Sequence, residues 1–436
     1  MTTTNKSYKS AFIFLTSLFF LWGFITVLVD SLIPRIRELF TLSYFQAGLV
    51  QFAFFGAYFL LSIPAGFILS KIGYKKGIVL GLSTMAVGCL LFYPAASYRE
   101  FGIFLIAYFV LAGGMTILQV AANPYVAALG SEDGASSRLN LSQAFNSLGT
   151  AIAPAIGAIF ILSDKVKNTE EIAGLSDTAK ESYLVAEASA VQSPFLGITG
   201  FIVVLAVVFM FVKLPKLLNS NSLKGGFVEA LKHKSLRMGA IGIFVYVGAE
   251  VAIGSYLVNY FLDMNMAEAI KSSPTMSSIS EFIIGTSLAE VSSLAIVGAF
   301  VVFYWSGAMI GRFAGAYLTK VMNPAFVLRI FALLAIVMIF VSMLSQGFVA
   351  MWSILAVGLF NSIMFPTIFT LAIEGLDDLK PQASGILCTM IVGGAIIPPL
   401  YGFLTDQFGF KAALVLVIVC YSYINTFGKL KSSGRI

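Results

Sequence analysis

The sequence predicts an all-α membrane protein of twelve transmembrane helices arranged as two six-helix halves. Three observations carry that expectation. Of 436 residues, 58% are hydrophobic and only 11% charged, whereas a soluble domain has about 25% charged residues. The apolar residues fall in runs of the length that crosses a bilayer, about 20 residues for a helix. The Lys and Arg residues lie between those runs and are unevenly shared between alternate loops, as in polytopic proteins.

In chain order, a polar start, Met1 to Ser10, leads into the first run, 11–34. This run is too long for the apolar part of a cleaved leader and reads as a retained signal-anchor helix. Further spans are expected at 45–70, 77–96, 101–129, 140–163 and 194–213. The segment Lys213 to Arg237 is strongly basic and carries Gly225-Gly226, so it reads as a linker. Six more spans follow at 237–262, 293–319, 324–344, 348–373, 382–405 and 409–428. The domain expectation is an N-terminal bundle over 1–213, a linker loop over 214–236 and a C-terminal bundle over 237–436. Two longer segments, 164–193 and 263–292, read as surface caps on the outer side.

Twelve spans place both termini on one side, and that side holds 19 of the 27 Lys and Arg residues. The positive-inside rule puts it in the cytoplasm, with the chain in the inner cell membrane. Gly307, Gly311 and Gly315 form a small-xxx-small ridge for close helix approach. Pro64, Pro124, Pro154, Pro366 and Pro398-Pro399 interrupt spans, where each proline frees a carbonyl and bends the helix.

Several function classes are excluded early. The basic residues sit in loops beside helices, which is membrane topology and not a nucleic-acid stripe. Cys89, Cys388 and Cys420 lie in apolar runs and fit neither a metal nor a disulfide framework. The one histidine, His233, is in a basic loop. No cofactor or metal site is expected, and an enzyme would need clustered catalytic groups that this chain does not show. A monomer is the default expectation.

Function must then be read from polar groups inside the spans, which hydrocarbon penalises and which are normally carried for a purpose. Asp30 stands out as a carboxylate in the first run and a candidate for cation coupling. Gln119 and Asn123 are four residues apart on one helix face, and Gln143 and Asn146 are three apart. Gln51, Tyr58 and Ser62 share a face of the second span. The second half offers Glu250, Asn259 and Asn361. Amides and carboxylates supply paired donors and acceptors, while Trp22, Tyr58 and Phe365 supply flat apolar faces. That mixture suits a neutral sugar or similar polyol. An anionic substrate would call for a buried Arg or Lys in a span centre, and none is expected, because Arg312 reads as lying near a cytoplasmic end. Neutralising Asp30 with H⁺ or Na⁺ would couple ion flow to sugar flow; Glu250 is a second coupling candidate or a sugar ligand.

Leu21-Trp22-Gly23-Phe24 with Asp30, Ala121-Ala122-Asn123-Pro124, Arg138-Leu139-Asn140-Leu141 with Gln143, Phe145-Asn146-Ser147, Tyr246-Val247-Gly248-Ala249-Glu250 and Pro366-Thr367-Ile368-Phe369 carry a family resemblance over nearly the whole chain. The sequence resembles sugar transporters of the major facilitator superfamily, in the fucose–galactose–glucose symporter family, and is most similar to the bacterial glucose/galactose branch. The resemblance implies two pseudo-symmetric six-helix bundles with a site between the halves and alternating access by rocking. In the family's fucose permease an acid matching Asp30 serves proton coupling, and a second acid falls where this chain has Gln119. That departure argues against fucose and favours Na⁺, since Gln119 does not titrate; a Na⁺-coupled glucose transporter also belongs to the wider family. The superfamily's cytoplasmic gate loop is recognisable in Gly66, Gly73, Lys75 and Lys76, with Ser70 where an aspartate is usual. A similar string, Gly402 to Lys411 with Asp406, falls on the outer side and is taken as coincidence. The expected function is cation-coupled import of a neutral hexose. The alternatives are an L-fucose or N-acetylhexosamine proton symporter, or a sugar exporter or facilitator of the same fold.

Overall fold

In hydrocarbon the backbone must satisfy its own hydrogen bonds, so apolar runs of this length become helices. The computed structural model describes residues 2–40, 44–160, 174–217 and 226–436; within these, side chains are described except at 2–7, 30–40, 44–48, 155–160, several positions between 177 and 191, and Glu290. Every regular element among the described residues is helical. The first half contains α1 (Thr2–Phe40), α2 (Tyr44–Ile72), α3 (Tyr74–Tyr98), α4 (Phe101–Ala128), α5 (Ala135–Phe160) and α6 (Asp177–Phe211). A short helix, α7 (Phe227–Lys232), leads to the second half: α8 (Lys234–Asp263), α9 (Met266–Ser272), α10 (Pro274–Ile284), α11 (Ser293–Ala299), α12 (Val301–Val321), α13 (Pro324–Leu344), α14 (Gly347–Asn361), α15 (Met364–Ile373), α16 (Lys380–Thr389), α17 (Gly393–Phe408) and α18 (Phe410–Ser432).

Eleven helical stretches among the described residues are long and apolar enough to span a membrane. The fifth expected span, 140–163, corresponds to α5 as far as Phe160, and 161–163 lie outside the described residues. Of the two expected caps, 164–193 is described from 174 onward and is helical from Asp177 as the start of α6. Arg99, in the left-handed region (φ 51°) at the α3 corner, holds Glu181 by two hydrogen bonds of 3.0 and 2.5 Å. Those bonds keep the Glu181 carboxyl below its ordinary range.

The chain forms two compact units. One comprises Met1–Ala135, Phe145–His233 and Ile373–Met390; the other comprises Ser136–Ala144, Lys234–Ala372 and Ile391–Ile436. Residues 136–144 of α5 thus pack with the second unit, and α16 packs with the first.

Within the first unit, α2 and α16 approach at Gly66 and Gly385. A Cβ on Gly66 would stand 2.8 Å from the Pro381 carbonyl oxygen, and one on Gly385 2.8 Å from that of Ser62. Stacked rings of Phe92 and Phe195, centroids 4.2 Å apart, fill the space between α3 and α6. Within the second unit, the Gly307-Gly311-Gly315 ridge of α12 lies against Leu359, Ser362 and Ile363, leaving no room for side chains.

Prolines interrupt spans, and two of the carbonyls they free are taken by other helices. Pro124 cannot donate to Val120, and the Ser384 hydroxyl donates to that carbonyl at 2.8 Å. Pro366 cannot donate to Ser362, and Arg312 Nε donates to that carbonyl at 3.2 Å. The tenth span is broken between α14 and α15, and the eleventh between α16 and α17.

The string Gly402 to Lys411 is not a coincidence, which corrects the sequence reading. Gly73 caps α3 with φ 80° and ψ 166°, and Gly409 caps α18 with φ 83° and ψ 163°. Two residues on, Lys75 Nζ donates to the Met210 carbonyl at 2.8 Å, at the end of α6. Lys411 Nζ donates likewise to the Ser345 carbonyl at 2.6 Å, just past α13. In each case a glycine able to take positive φ turns the corner and a lysine closes the exposed carbonyls of a helix end. The local device recurs once in each unit.

Candidate substrate and coupling site

In the first unit the predicted residues lie on α1, α2, α4 and α5. The Tyr58 hydroxyl donates to Gln119 Oε1 at 2.9 Å, and both residues are buried. Phe54, itself beside Tyr108, stacks at a tilt on the Tyr58 ring. Asn123, one helical turn beyond Gln119, is fully buried, and neither its amide nitrogen nor its oxygen has a hydrogen-bond partner among the described residues. Asn146 Nδ2 donates to the Phe19 carbonyl at 2.9 Å. Gly23 lets α1 and α5 close at that point, because a Cβ there would collide with Asn146. Trp22 is buried beside Phe19, edge to face at 5.6 Å. Asp30 lies on α1, but its side chain is outside the described ones.

Other candidates are not brought into this group. Gln51 is exposed on α2. Gln143 is buried but belongs to the second unit, whereas Asn146 belongs to the first. Asn259 is exposed on α8. Of the gate-loop residues, Gly66 is the close-approach point, Gly73 the corner and Lys75 the helix-end donor, while Lys76 is exposed.

The second unit holds a denser cluster. Glu250, on α8, faces Arg312 of α12 with Oε1 to Nη2 at 3.8 Å; their side chains are 15% and 17% exposed. Arg312 is half-buried and lies in the second half of its span, Ser293–Val321, deeper than the end at which it was expected. Arg312 lies mid-way along α12, and its long stem carries the guanidinium to both Glu250 and the carbonyl freed by Pro366. The Tyr246 hydroxyl lies in electrostatic reach of Glu250 without a hydrogen bond of normal geometry. Asn361, where α14 ends, donates to the Tyr304 hydroxyl at 2.6 Å and to the Tyr421 hydroxyl at 3.4 Å. The Asn361 amide oxygen is buried and has no partner among the described residues. Also in this unit, Asn140 donates to the Ser136 carbonyl and to Thr367 Oγ1, at 2.9 and 3.1 Å.

Arg312, Tyr246, Tyr304 and Tyr421 were missed as site residues. Signals for two of them were present. Tyr246 is four residues before Glu250 on the same face, and Arg312 follows Gly311 on the ridge, where a close neighbour was expected.

Over residues 10–391 the chain matches the model of the Major Facilitator Superfamily. The chain belongs to that superfamily. It is therefore an integral, multi-pass membrane transporter and not an enzyme, with the superfamily's twelve-helix fold. It is 46% identical to a glucose/galactose transporter of Brucella abortus, over 99% of this chain and 97% of that one. It is 34% identical to the L-fucose-proton symporter of Escherichia coli strain K12, over 98% and 94%. The crystal structure of the superfamily transporter FucP in the outward conformation superposes with a TM-score of 0.86 at 32% identity, covering 98% of this chain and 99% of that one.

Proposed function

We propose that this chain imports a neutral hexose of the glucose/galactose class by symport with a monovalent cation, across the inner membrane and with both termini in the cytoplasm. The carrying observation is the 46% identity over 99% of the chain to a protein named glucose/galactose transporter. The chemistry of the polar clusters supports it. The charge of Arg312 is answered by Glu250, so the second-unit cluster is close to neutral, and what it presents beyond that pair is Asn361 and tyrosine hydroxyls. In the first unit the buried amide of Gln119 meets Tyr58, and Asn123 and Trp22 are buried in the same unit. Amides pair with sugar hydroxyls, and rings pack on the C–H faces of a pyranose. A phosphorylated or carboxylate substrate would need an unanswered cation.

Asp30 is the proposed coupling carboxylate. Glu250, already paired, fits a sugar ligand better than an ion site. Proton coupling is favoured by the relative named L-fucose-proton symporter. Sodium coupling is favoured by Gln119, which does not titrate and is held by a neutral tyrosine. The test is uptake of labelled glucose, galactose and fucose into proteoliposomes, with pH and Na⁺ gradients imposed separately. Asp30→Asn is expected to abolish accumulation while leaving downhill exchange. Undiminished accumulation by that variant would overturn the coupling role, and fucose uptake exceeding that of both other sugars would overturn the substrate class.

A further inference from the structure

A cavity of about 500 Å³ in the first unit is lined by Lys71, Lys75, Lys76, Lys213 and Lys216 around Tyr74, and no acidic residue lines it. Its walls are held in place. Tyr74 stacks on Tyr125 at 5.1 Å, and the Tyr125 hydroxyl donates to the Pro215 carbonyl at 2.7 Å, which fixes the segment after α6. Lys75 is tied to Met210, and Lys71 lies 4.0 Å over the Phe67 ring. Among the described residues no carboxylate forms an ion pair with any of the five lysines. The start of α3 opens on the same space, and its cap, Gly73, supplies no side-chain acceptor, so the first-turn N–H groups add to the positive potential. Topology explains lysines in loops; it does not explain five of them lining one concavity.

We infer that this cavity binds the phosphodiester headgroup of an anionic phospholipid. Phosphate is the chemistry that several ammonium groups and free backbone N–H groups share as a target. The phospholipid, and not a soluble phosphate, is favoured by position. The cavity lies where candidate spans end at Ile72 and Phe211 and begin at Tyr74. Beside its lysines stand exposed apolar side chains, Phe67 at 51% and Phe211 at 79%, which suit acyl chains.

Purified full-length protein in detergent would be titrated with dioleoylphosphatidylglycerol, with dioleoylphosphatidylcholine, with glucose 6-phosphate and with inorganic phosphate, binding being followed by native mass spectrometry. Saturable phosphatidylglycerol binding is expected. A triple variant, Lys76→Gln with Lys213→Gln and Lys216→Gln, keeps the two anchored lysines and should weaken binding about 100-fold. A control with the same charge change elsewhere, Lys234→Gln with Lys320→Gln and Lys429→Gln, should weaken it by less than about threefold. If the triple variant does not fold, Lys216→Gln alone should weaken binding about fivefold. Equal losses in pocket and control variants, or no saturable lipid binding, would overturn the site. Tighter binding of glucose 6-phosphate or inorganic phosphate than of phosphatidylglycerol would overturn the lipid as its occupant.

Discussion

At the scale of single residues, the Glu250–Arg312 pair sets the electrostatics of the second unit. Two charges out of water are tolerated because each answers the other, and losing one partner costs more than losing both. Glu250→Gln is expected to destabilise the protein by about 3 to 5 kcal/mol, read as a lower unfolding temperature in detergent. The double variant Glu250→Gln/Arg312→Met should regain most of that stability without regaining sugar uptake. A double variant no more stable than the single one would refute the pairing. Tyr58→Phe is a milder change. It strips Gln119 of its buried donor, at about 1 kcal/mol, and should raise the KM for hexose about fivefold with the maximal rate retained. An unchanged KM would remove Tyr58 and Gln119 from the sugar site.

At the scale of elements, interrupted helices create polar contacts that an unbroken helix cannot offer. Pro124 leaves the Val120 carbonyl free, and Ser384 of α16 fills the gap. Ser384→Ala should cost about 1 kcal/mol, because the acceptor is then buried unpaired. Adding Pro124→Ala should restore stability, since residue 124 would again donate along its own helix. Thermal unfolding of both variants checks this, and failure of the second change to rescue the first would dissociate the serine from the proline. The prolines were visible in the sequence as helix interruptions. Their partners were not, because Ser384 lies 264 residues from Val120 and a serine in an apolar run carries no label of its acceptor.

At the scale of the whole molecule, the proposed orientation rests on the uneven count of Lys and Arg in alternate loops. Ser433→Cys and Ser273→Cys place a thiol at the C-terminus and at the start of α10, in segments expected on opposite sides. The native cysteines are buried, so background labelling should be low. In intact cells a membrane-impermeant maleimide is expected to label position 273 and spare position 433, and the reverse pattern would invert the topology. The paired corners at Gly73 and Gly409 belong to this scale too. Because Lys75 and Lys411 close helix ends in separate units, the similarity of the two strings is structural. It escaped the sequence reading because the two loops were expected on opposite faces, where only the gate-loop string had an assigned purpose.

Hydropathy and loop charge alone gave the membrane class and the candidate spans, since the bilayer imposes length and composition on every crossing segment whatever its neighbours are; the resemblance to the superfamily rested on the motif stretches. Individual amides and carboxylates could be nominated on the same ground, because a polar group in an apolar run is conspicuous. Folding decided their company: Tyr58 with Gln119, Arg312 with Glu250, Asn361 with Tyr304, and Gln143 and Asn146 in separate units. It also set Gln51 and Asn259 on exposed faces. Which side chains meet depends on helix rotation and on angstrom-scale approach at positions such as Gly66 and Gly311, and the order of residues along one chain does not encode that in readable form.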